Sequence, residues 1–180
     1  MQTIKMSQNI ILILDESGSM CDLTENTLGM VNNFINDQKN KNPNAILSLF
    51  LFNNNMREIY KSVNIQNVPK FTDYHPGGPT ALYDTVGNII VEHSYKYNVT
   101  MLIVTDGEDN SSRLYTQGNV ANFVNSLQKE RGWQFLFFGA NREITQIGQN
   151  IGMNVCQTFD ATPNGIDELS QQMSDLILLL

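Results

Sequence analysis

Ile10-Ile11-Leu12-Ile13-Leu14-Asp15-Glu16-Ser17-Gly18-Ser19 is the stretch that decides the fold, because an unbroken aliphatic run passes directly into a loop rich in oxygen side chains. A short segment that is apolar at every position is the signature of a strand covered on both faces. Such strands belong to parallel sheets sandwiched between helices. At the extended exit of the strand, residues two apart project to the same side. Asp15, Ser17 and Ser19 therefore converge, while Glu16 and Gly18 face elsewhere.

Two further segments repeat this logic downstream. Val99-Thr100-Met101-Leu102-Ile103-Val104-Thr105 is a second apolar run and ends in Asp106-Gly107; between the two runs, Gly77-Gly78-Pro79-Thr80 opens a helix-like segment. In an open parallel sheet, ligands bind beyond the carboxyl ends of the strands, at the point where the strand order reverses. Asp15 and Asp106 both lie at such ends. Together the three loops offer two carboxylates and three hydroxyls, a donor set for a hard cation.

With these residues in place, the chain resembles the von Willebrand factor A family, whose members include the integrin inserted domain, over nearly all of residues 8–180. The family's metal-ion-dependent adhesion site has an Asp-x-Ser-x-Ser element, matched by Asp15, Ser17 and Ser19. Its isolated threonine is matched by Thr80, and its aspartate in a Thr-Asp-Gly turn by Asp106. The resemblance implies that Ser17 and Ser19 contact the metal directly, and that Asp15, Thr80 and Asp106 alternate between direct and water-mediated contact. It also implies a mostly parallel sheet with one antiparallel edge strand. Five side chains with only two carboxylates favour magnesium, with manganese or calcium as the other divalent candidates. Two aspartates bring the local charge with such an ion to about zero. The ion stays electrophilic enough to take an Asp or Glu carboxylate from a partner protein.

The remaining runs suit the same architecture. Strands are expected at 10–14, 46–52, 99–105, 134–138 and, shorter, 154–158. Asn53-Asn54-Asn55 is a turn leading into an antiparallel edge strand over 57–63. Helical stripes are formed by Leu28, Val31, Phe34 and Ile35 (helix 24–40, with Thr24 as N-cap), and by Leu82, Val86, Ile89, His93 and Tyr97. Val120, Phe123, Val124 and Leu127 make another, Ile166, Leu169, Met173 and Ile177 the last, and a short helix covers 142–150. The expected fold class is α/β: a doubly wound, mostly parallel, Rossmann-like sheet of about six strands flanked by helices.

Composition narrows the function. The 180 residues are 41% hydrophobic, as expected for one domain over 1–180 with residues 1–7 as a short N-terminal extension. A net charge of -7 repels nucleic-acid backbones and anionic membrane surfaces, so neither is an expected partner. Cys21 and Cys156 are too few for a disulfide framework, and the N-terminus lacks a signal-peptide layout. A cytoplasmic setting is the expectation, with Cys21 as a small buried thiol. Leu176-Ile177-Leu178-Leu179-Leu180 is far short of the roughly 20 residues of a membrane span and reads as the buried end of a helix.

Enzymatic alternatives meet specific obstacles. A phosphatase like the haloacid dehalogenase-like enzymes could use Asp15 as nucleophile and Asp106 to hold magnesium, but their general acid two residues on is Ser17 here. Glu16-Ser17-Gly18 lacks the glycine-flanked nucleophile elbow, and neither Gly-x-Gly-x-x-Gly nor a phosphate loop is present. His93, on an apolar stripe, reads as a satisfied or partly buried core histidine and His75 as an exposed loop residue. Glu108 and Asp109 read as a solvated acidic rim, with Arg113 and Tyr83 as possible lining of the ligand surface. The expectation is thus a non-catalytic, metal-dependent protein-binding module, working within a larger complex.

Overall fold

The computed structural model describes residues 7–180. Apart from Ser7, the expected N-terminal extension lies outside the described residues. Six strands form one sheet: β1 (Asn9–Asp15), β2 (Ile46–Phe52), β3 (Met56–Asn64), β4 (Val99–Thr105), β5 (Gln134–Gly139) and β6 (Val155–Thr158). Their order is β3-β2-β1-β4-β5-β6, and only the β2–β3 pairing is antiparallel. The helices are α1 (Thr24–Lys41), α2 (Leu82–His93), α3 (Gln117–Arg131), α4 (Arg142–Asn150) and α5 (Pro163–Leu179).

The continuously apolar strands resolve into two alternating faces. Leu12, Leu14, Leu49, Leu51, Leu102 and Val104 face a core closed by Met30, Val31 and Phe34 of α1 and by Leu169, Met173 and Ile177 of α5. Ile11, Ile13, Phe50, Met101, Ile103 and Phe137 face a second core closed by Val86 and Ile89 of α2, Val120 and Val124 of α3, and Ile144 of α4. Burial on both faces is why no polar alternation appears in these runs. The chain leaves β1 for β2 on one side and later returns to place β4 on the other. The carboxyl end of β1 is therefore the switch point, and the register pairs Leu14 with Val104.

Four local expectations need correction. Thr24 begins α1 but does not cap it: a 3₁₀ turn over Gly18–Leu23 runs straight into the helix, and the Thr24 hydroxyl donates back to the Cys21 carbonyl at 2.8 Å. Tyr97 falls beyond the end of α2, in a turn where Asn98 takes a positive φ of 53°, and its exposed ring lies under the Arg131 guanidinium instead. At the C-terminus Ile177 is buried, whereas Leu178, Leu179 and Leu180 are exposed; α5 packs through one stripe, and consecutive helical residues cannot all enter it. Cys21 is likewise exposed, on the 3₁₀ turn.

Gln38 of α1 is fully buried, and neither amide atom has a protein partner among the described residues. Desolvating such a group costs about 1–3 kcal/mol. Gln38→Met, which keeps the length and removes the polarity, is expected to raise stability by about that amount. Urea denaturation would read the gain as a higher midpoint at unchanged slope.

Candidate metal site

The five oxygen-bearing residues come together at the carboxyl ends of β1 and β4. Ser19 donates its hydroxyl to Asp106 Oδ1 at 2.6 Å and stands 3.2 Å from the Ser17 hydroxyl oxygen. The Ser17 amide donates to Asp15 Oδ1 at 2.7 Å. A Cβ added to Gly107 would meet Thr80 Oγ1 at 3.4 Å, Asp15 Oδ2 at 4.0 Å and Ser19 Oγ at 4.0 Å. Oxygens of all three loops thus face one small volume, which a side chain at position 107 would invade.

The loops are stitched largely by main chain. Gly18 N–H donates to Gly78 O at 3.0 Å and Gly77 N–H to Glu16 O at 2.9 Å, joining the first loop to the second. The Thr80 carbonyl accepts from the amides of Asn110 (2.9 Å) and Ser111 (3.1 Å), joining the second to the third. Gly78 has a φ of 79°, a backbone region glycine enters without steric cost. Asp109 spends its carboxylate on Tyr83 N–H and the Ser112 hydroxyl, and Asp84 accepts from the amides of residues 113–115 at 2.8 Å each. The expected solvated acidic rim is therefore reduced to Glu108, because Asp109 is turned inward to hold its own loop.

Electrostatically the pair of aspartates is under tension. Asp15 is fully buried, and burial pushes its carboxyl up to about 6. Hydrogen bonds from the Thr105 hydroxyl and from Ser17 pull the other way, and nearby Asp106 adds a further upward push. Burial raises the Asp106 carboxyl too, against the hydrogen bond from Ser19. Two desolvated carboxylates flanked by hydroxyls suit a hard divalent cation, whose charge offsets theirs. Among the described residues no group of three or more His, Cys, Asp or Glu is placed to hold a metal, so a donor set here would draw on neutral oxygens such as these hydroxyls.

No protein-family model matches the chain, and no curated protein matches it significantly in sequence. Solved structures do match. A von Willebrand factor type A protein from Catenulispora acidiphila aligns over 96% of this chain with a TM-score of 0.65, at 16% identity. The chain has the von Willebrand factor A fold. The same fold aligns with proximal thread matrix protein 1 from the mussel byssus, a structure with a zinc-occupied MIDAS motif, over 96% of this chain (TM-score 0.68, 18% identity). A D319A mutant of the PilB minor pilin from Streptococcus sanguinis aligns over 98% (TM-score 0.72, 12% identity). The chain spans 43%, 45% and 62% of the length of those three chains.

Two residues around this site escaped the sequence reading. Thr105, the last residue of β4, donates its hydroxyl to Asp15 Oδ2 at 2.5 Å and accepts from Gly107 N–H at 3.2 Å. Its place before Asp106 in the Thr-Asp-Gly turn was the available signal. Glu16 turns away from the three loop oxygens as expected, but into an ion pair with the partly exposed Arg57, in which only the carboxylate is buried. The histidines stay away from the cluster. His75 is exposed and pairs with Asp73 at 3.2 Å. His93 is in the core against Phe50 as expected, but its ring nitrogens have no partner among the described residues, and burial lowers its pKa.

Proposed function

We propose that this domain binds a divalent cation, magnesium foremost, through Asp15, Ser17, Ser19, Thr80 and Asp106, and uses it to capture an Asp or Glu side chain of a protein partner. The observation that carries the reading is the convergence of the Asp15, Ser19 and Thr80 oxygens about Gly107, with Asp106 hydrogen-bonded to Ser19. Manganese or calcium would be accommodated by the same oxygens. The zinc-occupied MIDAS of the mussel protein supports a divalent ion in this fold, and the pilin neighbour supports a role in protein assembly. Membership of a larger complex and a cytoplasmic setting complete the proposal. The second accords with the two unpaired cysteines, Cys21 and Cys156.

Of the two chemistries open to Asp15, capture suits the site better than phosphoryl transfer. A phosphatase of the haloacid dehalogenase-like kind has its proton donor two residues on, and Ser17 offers only a hydroxyl 3.2 Å from Ser19. Calorimetric titration of magnesium into chelator-treated protein is expected to give saturable binding that Asp15→Ala/Asp106→Ala abolishes, followed by metal-dependent uptake of an acidic peptide. Binding retained by that double variant would sink the site assignment. Magnesium-dependent hydrolysis of a generic phosphate ester, lost in Asp15→Asn, would replace capture with catalysis.

A further inference from the structure

Glu16 stands between two of the proposed ligands, yet all its polar groups are spent elsewhere. Its amide donates to Phe52 O at 2.6 Å, and its carbonyl accepts from Gly77 N–H at 2.9 Å. Its carboxylate, almost wholly buried, takes Arg57 Nη2 at 2.7 Å, Arg57 Nε at 3.3 Å and the His75 amide at 2.6 Å. Arg57 lies on the edge strand β3, and its remaining nitrogen donates to Asp73 Oδ2 at 2.9 Å. One residue therefore ties the end of β2, the strand β3 and the loop leading to Thr80 onto the first loop.

We propose that Glu16 and Arg57 are a positioning pair that sets the metal loop, so that the edge strand governs cation affinity without touching the ion; this rests on the metal-binding reading above. The physical reason is alternation. Along an extended segment, turning one residue about its backbone swings both neighbours, and the neighbours here are Asp15 and Ser17. Anchoring Glu16 on the far side fixes the direction in which those two oxygens point. The guanidinium fork suits the task because it is planar and grips both carboxylate oxygens, whereas an ammonium would hold only a point. Breaking the pair would leave a buried carboxylate without its counter-charge, and the loop would have to move to bring it to water.

Charge and position make opposite forecasts for Arg57, which makes the test sharp. A purely Coulombic role means that losing Arg57 leaves the neighbourhood more negative and tightens cation binding, whereas losing Glu16 weakens it. A positioning role weakens binding in both. Magnesium and manganese titrations of chelator-treated wild type, Arg57→Gln, Arg57→Lys and Glu16→Ala would be read beside the melting of each metal-free protein. Arg57→Gln is expected to lower magnesium affinity by roughly 10–100-fold, the range seen when groups that orient metal ligands are lost, with Arg57→Lys falling between it and wild type. Affinity in Arg57→Gln equal to or above wild type would overturn the inference, even if its melting temperature dropped. Should Arg57→Gln fail to fold, Arg57→Lys decides, and undiminished affinity there overturns it equally. Silence from wild type itself would take down the metal reading and this one together.

Discussion

With metal chelated at pH 7.5, Asp15→Asn protein is expected to melt above wild type while binding no magnesium. Asp15 is fully buried, and its carboxyl sits at about 6 rather than 3.8. An acid whose folded-state pKa is raised charges at a cost in the folded state. That cost is fully present above about 6, shrinks as pH falls through that value, and vanishes near 3.8. At 1.36 kcal/mol per unit, the cost at neutral pH is about 3 kcal/mol. For a chain of this size each kcal/mol moves the melting temperature by roughly 2–4 °C. Asparagine is a fitting replacement: its carbonyl can accept from Ser17 N–H, and its amide can donate to the Thr105 hydroxyl, which already has the Gly107 carbonyl 3.1 Å away as an acceptor. Scanning calorimetry of both proteins at pH 7.5 and 5 is the check. The advantage of the variant should be large at the higher pH and roughly halved at the lower one. A variant that melts below wild type at both pH values would show that Asp15 is not held under electrostatic strain.

Trp133→Ala is expected to be the most damaging single substitution away from the site, at about 3–5 kcal/mol, a large share of the 5–15 kcal/mol typical of whole domains. Trp133 follows Gly132, which ends α3 in the left-handed region at a φ of 66°, and it leads directly into β5. It is fully buried, its ring centroid lies 5.8 Å from that of Phe135, and its indole N–H donates to Lys96 O at 3.0 Å. Truncation would open a large cavity in the core under α2 and α3. It would also leave the turn after α2 without its donor. Equilibrium urea unfolding would report the loss, and a cost below about 1 kcal/mol would mean that the surrounding core collapses to fill the gap.

The fold was legible in unusual detail where local pattern was sufficient. The runs at 46–52 and 99–105 and the helix at 142–150 coincide with the observed elements, because doubly covered strands leave an unmistakable apolar block. The antiparallel edge strand was legible from Asn53-Asn54-Asn55, whose backbone closes on itself through Asn53 N–H to Asn55 O at 3.0 Å. The approach of Asp15 and Asp106 was legible because both lie at strand ends that the sheet topology brings together and that of Ser17 and Ser19 from alternation, whereas Thr80 was placed with them by the family resemblance. What escaped was non-local and pairwise. Alternation said that Glu16 turns away but not what it turns toward, since Arg57 lies 41 residues further on and on a different strand. Thr105 was hidden by its β-branched shape, which reads as one more strand residue, although its hydroxyl is the closest partner Asp15 has. Exposure of Cys21 depends on what packs over a short 3₁₀ turn, which local pattern does not record, whereas that of Leu178–Leu180 follows from the single stripe through which α5 packs.

The stitching of the loops through Gly18 to Gly78, Gly77 to Glu16, and Thr80 to Asn110 and Ser111 uses main-chain atoms on both sides. Apart from proline, every amino acid carries that donor, and all carry that acceptor. A joint of this kind places almost no demand on heredity. Side chains around it can be replaced one after another without loosening it, so long as the glycines that let the loops of the joint approach are kept. A chain that shares only 12% identity over 98% of this one traces a similar path with few side chains in common.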